Sequence, residues 1–201
     1  MYNRESYLRV LIGLAILVFV AQIILAGLNS FTITTVLSKA SIAITIALIF
    51  HYIFSKWVWK FKILRPLIVK VPNLHGTWTG NLVSHWIDPQ TGNQIPPINI
   101  RVYIRQTFNN VSVEVHTDKM VSISYVADFV TNPDSGVQEL CYIYTSKSKL
   151  ESRDVNPWHD GTTRLAIYDG PNPRLEGEYW TSRKTVGSLD LTRESNKIER
   201  F

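Results

Sequence analysis

Cysteine is almost absent from this 201-residue chain: Cys141 stands alone, so no intramolecular disulfide can form. It lies in the strand-like run Leu140-Cys141-Tyr142-Ile143-Tyr144, where a thiol packs as a small hydrophobe. Catalytic signatures are missing as well. There is no glycine-rich phosphate loop, no His-Glu-x-x-His and no cysteine–histidine cluster, which argues against an enzyme. His159-Asp160, read as part of a loop, and Glu176 with Glu178, two apart on one strand face, fit solvent exposure better than catalysis. No cofactor or metal is expected. Charge is also missing from the front of the chain. There is none between Arg9 and Lys39, and none between Lys39 and Lys56.

Those two uncharged stretches are long enough to cross a bilayer. Spans are expected at about 8–28 and 36–54, inside a helical hairpin of residues 1–57. About twenty apolar residues in a helix rise about 30 Å, the thickness of the hydrocarbon core. Gln22 is the one strongly polar residue in the first span. Lys39 can snorkel to the headgroups from the start of the second, and His51 suits the interface at its end. A signal peptide competes for the first span, but the apolar stretch exceeds a typical h-region and a second span follows at once. A soluble hairpin would need a polar face that neither segment offers. Lys56, Lys60, Lys62, Arg65 and Lys70 follow the second span, Arg4 and Arg9 precede the first, and the connection at 29–35 carries no charge. The positive-inside rule then puts both termini, and whatever follows the spans, in the cytoplasm of a multi-pass inner-membrane protein. Residues 58–72 form a basic linker that fits lipid headgroups better than DNA or RNA, with Trp57 and Trp59 as an interfacial anchor. Gly13, Ala15, Ala21, Ala43 and Ala47, with Gln22 and Lys39 as polar contacts, are candidates for association between hairpins.

Past Pro72 the pattern changes to short alternating runs. A β-domain over 73–193 is expected, followed by a polar tail at 194–201. Strands are predicted at about 75–86, 98–108, 111–117, 120–130, 138–146, 162–168, 174–183 and 186–193, with tight turns at Asn109-Asn110 and Asp118-Lys119. Eight antiparallel strands in series favour an up-and-down, lipocalin-like barrel, which has no free edge; a two-sheet sandwich is the alternative. Gly76-Thr77-Trp78 on the first strand and Arg193 on the last resemble the lipocalin barrel closure, where an Arg covers a Trp.

Alternation groups the candidate ligand-binding residues. Ser122 and Ser124 share a face of the fourth strand, and Tyr142 and Tyr144 share one of the fifth. Tyr179, Thr181 and Arg183 share one of the seventh. If these rows face inward they offer rings to stack on bases, hydroxyls, and a cation for phosphate. The same tyrosines could equally be plain core.

Taken in order, several short motifs carry a family resemblance across the whole chain. They are Pro72-Asn73-Leu74-His75-Gly76-Thr77-Trp78, Ile104-Arg105-Gln106-Thr107-Phe108, Ser122-Ile123-Ser124 and Leu140-Cys141-Tyr142-Ile143-Tyr144. Gly161-Thr162, Leu175-Glu176-Gly177-Glu178-Tyr179-Trp180-Thr181-Ser182-Arg183 and Gly187 complete the set. With the two spans in front, the chain resembles the two-helix transmembrane, β-barrel effectors of CBASS, the bacterial cyclic-oligonucleotide anti-phage systems. The resemblance implies a barrel that binds a cyclic di- or trinucleotide made by a partner synthase. It also implies homo-oligomerisation and disruption of the inner membrane, ending in growth arrest or death of the infected cell. Two other readings stay open: a membrane-tethered carrier of a small apolar ligand, and a module that recruits a protein partner.

Overall fold

A computed structural model describes residues 4–26, 32–61, 71–90, 92–152, 154 and 156–199. The chain divides at Val71/Pro72 into two compact units, each taken here by itself.

The first unit is a helical hairpin, α1 (Arg4–Ala26) and α2 (Ile33–Lys56). Both helices are long and apolar enough to cross a membrane, over Tyr7–Ala26 and Ile33–Lys56. Thr32 caps α2 by accepting the Thr35 N–H at 3.2 Å. Ala43 and Ala47 are buried on α2, where the lack of long side chains lets two helices approach closely. Tyr7 stacks on Phe54 at 4.7 Å, and its hydroxyl meets His51 Nδ1 at 2.7 Å. The Gln22 amide donates to the Lys39 carbonyl at 3.5 Å. Gln22 therefore makes its polar contact within one hairpin, and His51 has an intramolecular partner there. Trp57 is exposed as expected of an interfacial anchor, but Trp59 is not. The 3-10 turn Val58–Lys60 leaves Trp59 only 1% exposed. Most of the basic linker, 62–70, lies outside the described residues.

The second unit is a closed eight-stranded antiparallel barrel with neighbours in chain order. Its strands are β1 (Gly76–Ser84), β2 (Ile98–Gln106), β3 (Val111–His116), β4 (Met120–Thr131), β5 (Gln138–Ser148), β6 (His159–Tyr168), β7 (Arg174–Thr181) and β8 (Val186–Ser195). The barrel, not the sandwich, is the outcome: β1 pairs with β8 from Thr77↔Ser195 to Ser84↔Gly187. The two predicted tight turns close as expected, with Thr107 N–H on the Asn110 carbonyl and Thr117 N–H on the Met120 carbonyl. Most strand ends shift by one to three residues, and two of these shifts change the reading of the site. β6 begins at His159, so His159-Asp160 belongs to a strand, where Thr145 Oγ1 donates to Asp160 at 2.7 Å. β7 ends at Thr181, because Thr181 N–H turns to the Thr185 carbonyl; Lys184, at φ 60°, lies in that turn.

The end of the barrel where β1 begins is sealed by large side chains. Leu74, Trp78, Ile104, Phe108, Leu140, Leu165, Leu175 and Leu191 are all 2% exposed or less. Trp78 and Arg193 are register partners, and the Arg193 guanidinium carbon lies 4.6 Å from the Trp78 ring centroid. Arg193 Nη2 also donates to the Asn73 carbonyl, and Trp78 Nε1 donates to the Leu74 carbonyl at 2.9 Å. The buried Gln106 side chain completes the seal, accepting from Leu74 N–H at 2.7 Å and donating to the Pro72 carbonyl at 2.8 Å. Gln106→Leu should cost the barrel about 2–4 kcal/mol, since two buried backbone groups lose their partners, a loss readable in chemical denaturation. Outside, Thr77 Oγ1 donates to the Lys197 carbonyl and accepts from Glu199 N–H, so the tail lies along β1.

Candidate ligand-binding site

The far half of the interior, towards the ends of β1, β5 and β7, has a different chemistry. Along β5 the buried residues Leu140, Tyr142, Tyr144, Ser146 and Ser148 lead from apolar to aromatic to hydroxyl. Register carries this change around the wall: Tyr142 faces Thr163, Thr163 faces Tyr179, and Tyr179 faces Gly187. Tyr144 stands between Ser124 on β4 and Gly161 on β6. The opposite wall remains apolar, with Ile100, Val102, Val113 and Val115 buried on β2 and β3.

The glycines make room for the rings. A methyl group built on Gly161 would collide with the Tyr144 ring, and one on Gly187 with the Tyr179 ring. Each tyrosine thus lies across a neighbouring strand that offers no side chain there. Tyr142 and Tyr144 have centroids 5.9 Å apart, and Thr163, the register partner of Tyr142, lies beside both phenols. Ser84 lies beside the Tyr179 phenol. Ser122 and Ser146 hydroxyls meet at 2.9 Å, and Ser124 Oγ accepts Val113 N–H at 2.8 Å.

Burial dominates the electrostatics of these phenols. It pushes Tyr142 up to about 12 against a smaller opposing effect of its bond to Thr163. Burial also raises Tyr144, helped by its neighbours Tyr142 and Tyr179, and it raises Tyr179. The three therefore act as neutral hydrogen-bond donors at physiological pH. In the unfolded chain a tyrosine ionises near 10. The stability due to neutral Tyr142 is then complete below about pH 10 and is lost as pH rises towards about 12. The Tyr142 share of the alkaline loss should be about 3 kcal/mol across that window, and Tyr142→Phe should make the profile shallower, leaving the part due to Tyr144 and Tyr179.

The predicted site residues fall into two groups. Ser122, Ser124, Tyr142, Tyr144 and Tyr179 share the interior. Thr181 is half-buried at its margin, its hydroxyl 2.7 Å from that of Thr185. Arg183 does not join the inward row; it is exposed in the β7–β8 turn, because the strand ends two residues earlier. It sits near His159, whose imidazole is held below its ordinary value by burial first and also by the Arg183 charge. Sequence reasoning missed Ser84, Ser146, Ser148 and Thr163. Continuing the Tyr142-Tyr144 alternation two steps would have found the second and third. The far-end loops hang on these serines: Ser148 Oγ donates to the Asn156 carbonyl, Ser84 Oγ accepts Trp86 N–H, and Gln94 donates to the Ser84 carbonyl.

Known proteins share this arrangement of sequence. Residues 69–193 match the Cap15 cyclic dinucleotide receptor domain. CD-NTase-associated protein 15 of Staphylococcus schleiferi is 31% identical over 151 residues, covering 75% of this chain and 76% of the relative. The protein of the same name from Escherichia albertii is 24% identical over 200 residues, covering 96% and 93%. The family match takes in all eight strands of the barrel, and the chain belongs to the family of the Cap15 cyclic dinucleotide receptor domain.

Proposed function

We propose that this protein is a membrane-anchored effector of a bacterial anti-phage system, switched on by a cyclic dinucleotide seated among the tyrosines and hydroxyls of its barrel. The observation that carries the reading is the polar aromatic wall of Tyr142, Tyr144, Tyr179, Ser146 and Thr163, inside a domain whose family is a cyclic dinucleotide receptor. Rings can stack on bases and neutral hydroxyls can bond sugar and phosphate oxygens. Arg183 and Lys184 in the β7–β8 turn supply cations beside that wall, so phosphate charge is met at the margin rather than in the interior. Two relatives are named for association with a CD-NTase, which supports a partner synthase as the source of the messenger. Nothing in the site favours DNA or RNA.

On this reading the barrel and both termini are cytoplasmic, since the basic residues cluster around the chain's exit from α2. The ligand acts by shifting a balance between monomer and homo-oligomer, through different affinities for the two states. One face of α2 supports association within the bilayer. Thr34, Ser38, Ser41 and Thr45 recur at helical spacing and are exposed. The Ser41 and Thr45 hydroxyls bond back to the Leu37 and Ser41 carbonyls at 2.9 Å, which softens the cost of facing lipid. A second hairpin packed on that row would bury it, and assembled hairpins would breach the membrane.

The test uses the full chain in lipid nanodiscs and in dye-loaded vesicles. One member of a panel of cyclic dinucleotides should bind at micromolar concentration or tighter, shift the protein to larger assemblies, and release dye. Binding of fatty acids with no response to any cyclic dinucleotide would replace this reading with the carrier. Nucleotide binding without dye release would remove the membrane-disrupting half.

A further inference from the structure

The barrel wall is unevenly stitched. β4 pairs with β5 over eleven residue pairs, from Met120↔Ser148 to Thr131↔Gln138. It pairs with β3 over three, Glu114↔Ile123, Val115↔Ser122 and His116↔Val121, the shortest ladder in the barrel. A bulge lies between Ser124 and Val126, and the ladder to β3 ends at Ile123 while that to β5 continues to Thr131. At that point the Val113 N–H is taken by Ser124 Oγ at 2.8 Å, a side chain standing in for the next ladder bond.

Ser124 also belongs to the candidate site, opposite Tyr144 and two residues from Ser122 on the same face. A hydroxyl accepts and donates at once, so Ser124 can hold Val113 and still give its proton to an oxygen in the interior. Donation to an anionic or carbonyl oxygen polarises the O–H and strengthens the bond the same oxygen accepts.

We propose that the β3–β4 seam is the part of the wall that responds to ligand, with Ser124 as its latch. A messenger oxygen accepting the Ser124 proton tightens the Val113 bond and closes the seam. The ligand-response part rests on the messenger reading above; the latch itself does not. Ser124 in this scheme contacts the ligand and holds Val113 at once, linking an interior contact to the geometry of the wall.

Hydrogen exchange on the full chain in nanodiscs tests it, with wild type, Ser124→Ala and Ser124→Thr and the same cyclic dinucleotide panel. Without nucleotide, amides of 111–113 should exchange at least about tenfold faster than those in the middle of β6 and β7. Ser124→Ala should speed exchange at Val113 about fivefold further, the worth of one net hydrogen bond, and Ser124→Thr should restore it. A nucleotide that binds should slow Val113 in the wild type and the Thr variant but not in the Ala variant. Equal protection of β3, β6 and β7 without nucleotide, or no effect of Ser124→Ala at Val113, would overturn the latch. Binding that protects every strand evenly would overturn the response. If no member of the panel binds, the messenger reading fails together with the response, while the nucleotide-free comparison still decides the latch.

Discussion

Trp78→Ala is expected to cost the barrel about 3–5 kcal/mol, more than any other single truncation in this chain. The indole is wholly buried and donates to the Leu74 carbonyl, and its face carries the Arg193 guanidinium. Alanine leaves a cavity, a buried carbonyl without its donor, and a cation without its ring. Because β1 and β8 meet at this point, the loss falls on the contact that closes the cylinder. Denaturant unfolding followed by the fluorescence of the other tryptophans measures it. A change below about 1 kcal/mol would mean that neighbouring side chains collapse into the space. Arg193→Lys should cost much less than Arg193→Ala, since it keeps a charge over the ring but loses the planar fork.

The second large effect concerns binding. Tyr144→Ala should weaken the cyclic dinucleotide about 10–100-fold, the worth of one lost stacking contact together with its hydroxyl. Tyr144→Phe keeps the ring over Gly161 and gives up only the hydroxyl beside Thr163, so a loss of a few-fold is expected. Calorimetry on the full chain in detergent separates the two. Equal losses in both variants would assign recognition to the hydroxyl; no loss in either would move the ligand off this wall.

Much of this architecture was legible in the residues because alternation is a strong signal where one strand face is buried. Ser122 with Ser124, Tyr142 with Tyr144, and Tyr179 with Thr181 could be grouped by face from period, though not which face was inward, and Trp78 with Arg193 could be paired from their places on the first and last strands. What failed was the strand end. Arg183 continues the parity of Thr181, but parity means nothing once Thr181 and Thr185 close a turn. Trp59 failed for a related reason, since a single 3-10 turn changes which way a side chain points. Gln22 looked like a contact between hairpins, yet the sequence does not reveal that the Lys39 carbonyl of its own hairpin is within reach. Thr163, Gly161 and Gly187 were hidden because their role is defined by rings on other strands. The β3–β4 seam depends on a bulge, which no periodicity announces.

The pairing of the first strand with the last has a consequence for biosynthesis. Thr77 and the Lys197 carbonyl that it bonds are 120 residues apart in sequence. At a ribosomal rate of about 5–20 residues per second, roughly 6–24 s separate the synthesis of β1 from that of its partner. The helical hairpin emerges earlier still, so under the membrane anchoring proposed above the nascent chain reaches the bilayer while the cylinder is open. Until β8 arrives, β1 presents one unpaired edge and Trp78 has no guanidinium above it. A chain stalled in that interval would carry an unsatisfied strand edge. Closure of the barrel therefore waits on β8, whatever the state of the residues made before it.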